Sequence, residues 1–351
     1  MAWLISFRDL QWRRRRFAIA VVATGLVFAL GLILSGVSAS FDNEIDRTVD
    51  SFGADAWLVR AGTLGPFTAP TTIAESQVER VRNLPGVRRA DPVLVLGATT
   101  TTPSARNLNL VGVSPNGVGS PGRELGSLIA QPGTAIADAS LGLGRGDRLD
   151  VNGKDLRVVD VPRGMTYFAG IPRVTVSLKL AQRIGLGGRR LVTAIVVKGR
   201  PARVPSGLTL LENSDVAQDL ERPIVQAKDT ISFIRILLWL VAAGIIGAIV
   251  YLSALERVGD FAVLKAIGVS VRDLVTGLLA QAVLLSLLSA TLAIGLQALI
   301  APAVAMSVEV PLTTFLTMPL VAVVVGALAS FLGLRRALSV DPALAFGGAA
   351  R

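Results

Sequence analysis

Four blocks of nearly unbroken apolar residues divide the chain, at 17–37, 230–254, 274–300 and 316–334. A helix crossing a hydrocarbon core of about 30 Å needs roughly 17–25 such residues, so each block predicts a transmembrane helix. The first run is longer than the roughly 7–15 apolar residues of a secretory signal, which predicts a retained span. Trp3, Leu4, Phe7, Leu10 and Trp12 precede it and predict that residues 1–16 form a helix lying in the membrane interface.

The segment 38–229 has a different rhythm. Its start continues the first helix: Phe41, Ile45, Val49 and Phe52 recur at helical spacing, with Asp42, Glu44, Asp46, Arg47 and Asp50 between them. Gly53 is placed to end that helix. The other end of the segment predicts a helix capped by Ser214, running through Val216, Leu220 and Ile224 and interrupted at Pro223. Two helical stalks thus frame the segment. Inside it, 54–60, 108–113 and 193–197 read as strands, and 87–102 as one or two more. Thr72-Ile73-Ala74-Glu75 has the form of a capping box opening a helix to Leu84. Asn152-Gly153, between apolar-polar alternations at 147–151 and 155–159, is a strong hairpin signal. Residues 115–132, rich in Gly, Ser and Pro, read as a loop, and the Gly-rich pieces at 142–146 and 185–188 as turns. Strands mixed with short helices in no βαβ rhythm predict an α+β domain.

Charge sets the orientation. Arg13, Arg14, Arg15 and Arg16 abut the first span, the loop 255–273 carries Arg257, Lys265 and Arg272, and the tail 335–351 carries Arg335, Arg336 and Arg351. The short loop 301–315 has no Lys or Arg and one acid, Glu309. The positive-inside rule then places both termini and 255–273 in the cytoplasm, and 38–229 and 301–315 outside. The fold class expected is a membrane protein with four transmembrane α-helices and a large α+β extracytoplasmic domain inserted between helices 1 and 2. The basic run before the first span is a topology signal, so no nucleic-acid partner is expected. Of the net charge of +10, the outer segment holds 23 basic against 19 acidic residues, too even a balance to recognise a polyanion. The cytoplasmic excess suits an anionic lipid surface. With 52% hydrophobic and 17% charged residues, and an Arg, Ala, Val and Gly excess, the composition points to a bacterial plasma-membrane protein.

The chain has neither Cys nor His. That removes disulfides, thiolate or imidazole zinc sites, Cys or Ser-His nucleophilic machinery and His proton relays. No GxxxxGK[ST] phosphate loop occurs. No catalytic, metal-binding or cofactor-binding residue is therefore assigned. In the spans, Arg235 is placed to snorkel to outside water, with a pair to Glu309 as the alternative. Gln281, Ser286, Ser289 and Gln297 are placed to face a neighbouring span, and Gly244, Gly247 and Ala248 to allow close helix packing. The most informative stretch is 255–268. It predicts a short amphipathic helix with Phe261, Leu264 and Ile267 on one side, Glu256, Arg257, Asp260 and Lys265 supplying charge, and Gly268 as a left-handed cap. Ser270 to Asp273 reads as a capping box for the third span.

The spacing Glu256-Arg257-x-x-Asp260-Phe261-x-x-Leu264-Lys265-Ala266-Ile267-Gly268 resembles the signature between the second and third spans of FtsX-like and MacB-like ABC transporter permeases. The tail Arg335-Arg336-Ala337-Leu338-Ser339-Val340-Asp341-Pro342-Ala343-Leu344-Ala345 is similar to that family's ending. Outside, Gly53-Ala54-Asp55-Ala56-Trp57, Leu84-Pro85-Gly86-Val87 and Ala137-Asp138-Ala139-Ser140-Leu141-Gly142-Leu143 resemble stretches of the MacB-like periplasmic core. The chain lacks the fused ATPase of some relatives and so resembles the stand-alone, DevC-like permease. The resemblance implies a non-catalytic subunit that works with a separate ATP-binding subunit holding ATP and Mg, and with a second permease copy as homo- or heterodimer. It implies mechanotransmission, in which Glu256, Arg257, Asp260, Phe261, Leu264, Lys265 and Gly268 form the ATPase-coupling helix and the outer domain changes shape, in export or in envelope lipid or peptide handling. The contrasting reading is a passive membrane-anchored receptor, or a regulator of a cell-wall enzyme acting through its outer domain. The coupling helix and three further spans argue against it. Residues 38–229 carry no ligand signature, and small-molecule, peptide and lipid cargo stay open.

Overall fold

The structure, a computed structural model, describes residues 14–300 except 69–70 and 168–169, and beyond them 310, 312–314, 317, 320–321, 323–324 and 327–328. It divides into two compact units, Phe41–Gln226 and a second formed by Met1–Ser40 with Ala227–Arg351.

In chain order, α1 (Arg14–Asp50) is followed by β1 (Ala56–Arg60), β2 (Ile73–Ala74), α2 (Gln77–Arg82), β3 (Val87–Thr100) and β4 (Arg106–Val113). Then come α3 (Arg123–Ile129), β5 (Thr134–Ala137), β6 (Arg148–Val151), β7 (Lys154–Asp160), β8 (Thr166–Tyr167) and β9 (Ile171–Ser177). The unit closes with α4 (Leu178–Leu186), β10 (Leu191–Val192), β11 (Ala194–Gly199), β12 (Leu208–Leu211) and α5 (Asn213–Glu221). Nine strands run in the order β12-β1-β11-β3-β4-β9-β5-β7-β6, and β8 pairs with β9 off that path. The pairs β4–β9 and β5–β7 are parallel and the others antiparallel, so the sheet is mixed, as an α+β domain allows.

Strand alternation sorts the side chains into two cores. Leu58, Leu94, Leu110, Val174, Val176 and Ile195 pack together with Val78 and Val81 of α2 and with Leu178 and Ala181 of α4. Burial of each such side chain contributes about 1.5–3 kcal/mol. Gly112 in β4 is needed there, because a Cβ would collide with that of Ala181. Trp57 and Arg173, out of step with Leu58 and Val174, belong to a different cluster. Rings of Phe52, Trp57, Phe67 and Tyr167 meet at centroid distances of 5.0–5.9 Å. The helical stripe Phe41, Ile45, Val49 and Phe52 is buried, and Gly53 (φ +56°) ends the run. Asn152 (φ 49°) and Gly153 (φ +76°) make the β6–β7 turn, the left-handed pair that the hairpin required.

Three local expectations are corrected. Ile73 and Ala74 do not open a helix: they pair with Val192 and Leu191 as the small sheet β2–β10, and the helix starts only at Gln77. Edge pairing of a buried Ile73 outweighs a local cap. The cap of α5 is Glu212 rather than Ser214, with the Glu212 and Asp215 carboxylates closing a reciprocal box. The 115–132 loop contains α3, whose Ile129 is fully buried. Burial of one apolar side chain organises a stretch that composition marks as a breaker.

The other unit is helical. α1 continues through Ser40, and α6 (Val225–Glu256), α7 (Val258–Ala266) and α8 (Val271–Ile300) complete the described elements. Pro223 lies in a 3-10 turn, Arg222–Ile224, that separates α5 from α6. Three helices are long and apolar enough to cross a membrane, within Arg15–Asp50, Asn213–Glu256 and Arg272–Ile300. Phe28 and Leu32 of α1, Ala242, Ile246 and Val250 of α6, and Ala282 and Leu285 of α8 pack together. Ile19, Leu26, Phe233, Leu240 and Leu288 remain exposed on the same helices. Apolar residues on every face are what a lipid-facing helix needs. Gly25 permits close approach of α1 to α8, since a Cβ there would lie 3.0 Å from Leu292. Positions described between 312 and 328 are helical, and the remainder of 316–334 lies outside the described residues. So do the interfacial segment 1–13, residues 301–309 with Glu309, and the tail 331–351.

Candidate functional site

The stretch singled out by the sequence is helical over Val258–Ala266. Glu256 ends α6, Arg257 occupies the turn, and α7 follows at once. Phe261 is 5% exposed and sits in the same core as Phe17, Ala254 and Leu278, with Leu264 packed against it. Among the described residues of the helix and its end, Gly259, Asp260, Val263, Ala266, Ile267 and Gly268 are exposed. Val263 and Ile267 are 51% and 75% exposed. The expectation that Ile267 shares a side with Phe261 and Leu264 is therefore corrected: those two pack on the core and Ile267 is exposed. A helix packed on the ends of α1, α6 and α8 buries its largest side chains against them. The Lys265 side chain lies outside the described ones.

Gly268 (φ +96°) ends the segment as expected of a left-handed cap. The Val269 N–H donates to the Leu264 carbonyl at 3.0 Å, the wide hydrogen bond of a Schellman motif. Ser270 then starts α8: its hydroxyl accepts from the Asp273 N–H (3.2 Å) and donates to the Asp273 carboxylate (2.7 Å). Arg16 donates to Glu256 at 2.6 Å, so the start of α1 and the end of α6 lie at one end of the helical unit. Both side chains are about one-third exposed, and such a pair adds only about 0–1 kcal/mol. Burial lowers the Arg257 guanidinium pKa, and Asp260 opposes that shift.

Polar residues of the third apolar block face neighbours. Gln281 donates to Ser253 of α6 at 3.2 Å, and the Ser286 hydroxyl donates back to the Ala282 carbonyl at 2.8 Å. Ser289 and Gln297 are buried as well. Arg235 turns sideways: one guanidinium nitrogen donates to Ser35 at 3.3 Å, and the group lies 5.8 Å from the Trp239 ring centroid. A Cβ on Gly244 would meet nothing within 4 Å, so the packing expected of that residue does not occur within the described chain.

In the Phe41–Gln226 unit, the motif residues act as fasteners. Asp55 accepts from the Gly199 N–H (2.7 Å), Lys198 (3.0 Å) and Arg88 (3.0 Å). The Gly199 N–H foremost, then Lys198, lower its pKa to about 2. Trp57 donates its indole N–H to Asn213 at 2.9 Å. Gly86 (φ +87°) leaves room for the Arg200 carbonyl, and Asp138 accepts from Ser140 and Met165 at 2.8 and 2.7 Å. A cleft of about 580 Å³ has Lys179, Glu75–Arg190 (3.3 Å) and Glu79–Arg82 (2.6 Å) in its lining. Sequence reasoning missed Arg173. It is buried, donates to Ser51 (2.8 Å) and Thr175 (3.1 Å), and lies over Phe52 at 4.7 Å. Its strand position, out of phase with the valines, was the available signal.

Residues 18–207 match the family described as MacB-like periplasmic core domain, and residues 232–342 match FtsX-like permease C-terminal. An uncharacterized ABC transporter permease of Mycobacterium bovis is 42% identical over 344 residues, 98% of this chain and 99% of the relative. Another, from Mycobacterium tuberculosis, is 38% identical over the same length and shares. Among solved structures, the periplasmic region of MacB from Actinobacillus actinomycetemcomitans aligns with TM-score 0.34 and 11% identity, covering 48% of this chain and 94% of that one.

Proposed function

The chain belongs to the ABC transporter permeases that join a MacB-like periplasmic core domain to an FtsX-like C-terminal region, and on that premise we propose that it couples ATP hydrolysis on a separate subunit to a change of shape in its 38–229 domain. In this reading the ATP-binding partner holds ATP and Mg, since the chain has no phosphate loop of its own. A second permease copy completes the assembly, in a bacterial plasma membrane, with both termini cytoplasmic and 38–229 outside.

The observation that carries the reading is the division of α7 into an anchored and a free face. Phe261 ties the helix to the core of the helical unit. Asp260, Val263 and Ile267 are left exposed. A partner that pushes on the free face moves the core through Phe261. The residues proposed for coupling are therefore divided by role. Val263, Ile267 and Asp260 dock the ATPase, Phe261 and Leu264 transmit, Gly268 fixes the end of the helix, and Glu256 and Arg257 join it to α6. The Arg16–Glu256 pair supports a cytoplasmic location, because it puts the basic start of α1 beside this loop.

The test is co-purification from native membranes, followed by ATPase assays in nanodiscs. Val263→Asp with Ile267→Asp is expected to lower capture of the ATP-binding subunit at least about thirtyfold, as loss of a buried anchor worth about 2 kcal/mol does. Unchanged capture and unchanged permease-stimulated hydrolysis would favour the passive receptor instead.

A further inference from the structure

We propose that a cavity of about 190 Å³ in the Phe41–Gln226 unit binds a monocarboxylate with a short aliphatic tail, with the buried Arg173 guanidinium as its counter-charge. Phe67, Val95, Ile171 and Leu220 give the cavity apolar walls, and Tyr167 and Asn109 add polar groups. Asn109 on β4 is the register partner of Arg173 on β9, and Ile171 lies two residues before Arg173. Side chains so placed project from one face of the sheet, so Arg173 adjoins the cavity floor. Thr68 and Pro223, also on the lining, are exposed, so this unit leaves the cavity open.

The first observation is a charge without a counter-charge. Arg173 is 3% exposed and makes no ion pair among the described residues. Its Nε donates to Thr175 and its Nη1 to Ser51, while Nη2 makes no hydrogen bond among those residues. The Phe52 and Tyr167 rings, with centroids 4.7 and 5.8 Å away, compensate only in part. A guanidinium stays charged, and a buried charge is normally paired. Burial lowers its pKa, and Tyr167, not a carboxylate, opposes that shift. The buried acid Asp219 is already satisfied. It accepts from the Phe67 N–H (2.9 Å), the Thr68 N–H (3.3 Å) and the Thr68 hydroxyl. The second observation is an orphan donor. Tyr167 is 1% exposed, and its hydroxyl has no hydrogen-bond partner among the described residues. A buried hydroxyl normally has one. Burial pushes its pKa up to about 12, so it stays protonated and has a proton to donate. The Asn109 side chain makes no hydrogen bond among the described residues either, and it supplies an amide N–H.

Charge and size select the occupant. One cation with two neutral donors suits a single negative charge. A phosphate or sulfate would press further oxygens against Phe67, Val95 and Leu220, where no donor meets them. An uncharged ligand would leave Arg173 as it is. At roughly 30 Å³ per water-sized group, the cavity holds about six such groups, which fits a carboxylate and three or four carbons. A branched short-chain acid has that size. So does the end of a peptide finishing in valine, whose chain would leave through the open side. The two sources share one chemistry.

The experiment titrates the full chain in nanodiscs by saturation-transfer NMR, with empty nanodiscs as the baseline. The probes are isovalerate, its uncharged isostere isovaleramide, and a short peptide ending in valine with a free or an amidated C-terminus. Isovalerate or the free-ended peptide is expected to bind saturably, and the matching amide at least about tenfold more weakly. Tyr167→Phe, which adds no volume, should weaken that binding about tenfold, the worth of one hydrogen bond to a charged acceptor. Ile171→Trp, which fills the cavity, should abolish it. Tighter binding of the peptide than of isovalerate identifies a chain end as the source, and the reverse identifies a small acid; either supports the site. Equal affinity for acid and amide, binding indifferent to both substitutions, or no saturable binding of isovalerate or the peptide would each overturn the assignment. The acid–amide comparison needs no variant, so misfolding of Ile171→Trp leaves the test intact. No ATPase takes part, so its failure leaves the coupling proposal standing.

Discussion

Phe261 and Val263 lie two residues apart on α7 and face opposite ways: one fills the core of the helical unit and the other is half exposed. Removing the buried ring should destabilise the protein directly. Phe261→Ala is expected to cost about 3–5 kcal/mol and to lower the thermal midpoint in detergent, whereas Val263→Ala should leave it unchanged. Equal midpoints for the two variants would contradict the packing. Asp55 gives a pH signature. Its carboxyl is held at about 2 by the Gly199 N–H, Lys198 and Arg88, below the ordinary 3.8. A depressed carboxyl stabilises the fold above its unfolded value, and that contribution fades as pH falls through about 2. Wild type should therefore melt above Asp55→Asn at neutral pH, and the two should converge below about pH 2. A constant gap across that window would assign the effect to something other than ionisation.

At the scale of elements, stability comes from ends as much as from faces. α7 is only nine residues long, too short to persist by propensity. It holds because Phe261 is packed, Gly268 turns left-handed, and Ser270 caps the next helix. Gly268→Val puts a branched side chain at φ +96°, a region that costs an L-residue about 1–2 kcal/mol or more. Hydrogen exchange should then accelerate at the Val269 amide and over 258–268, with the Phe41–Gln226 unit unaffected. Retained protection at Val269 would mean that the cap is dispensable. Pro223 shows the opposite device: a 3-10 turn around it separates α5 from α6, so the capped helix and the apolar one are distinct elements.

At the scale of the molecule, a sheet-rich unit and a helical unit share one chain, joined through α1 and α6. Orientation is open to a direct test in a chain without cysteine. Cys introduced at Ser104 or Ser206, both exposed, should react with an impermeant thiol reagent in intact cells. Cys at Ala266, also exposed, should react only after permeabilisation. Reaction at position 266 in sealed cells would invert the topology and remove the cytoplasmic assignment of α7.

The sequence alone determined what depends on local chemistry. Apolar run length marked the three helices described as long enough to cross a membrane, Asn152-Gly153 marked a hairpin because few residues tolerate two left-handed positions, and Gly268 marked a helix end. The spacing of charged and apolar residues around 256–268 marked the family. Tertiary structure decided what depends on which surfaces meet. It turned Phe261 inward, because its neighbours offered a core. It made Ile73 a strand residue, because Val192 was available to pair with it. It also gathered Arg173 and the four aromatic rings, from positions as distant as 52 and 173, into one buried cluster that no local pattern marks. Local patterns encode periodicity and backbone freedom, but a buried polar cluster exists only once long-range pairing has set the register.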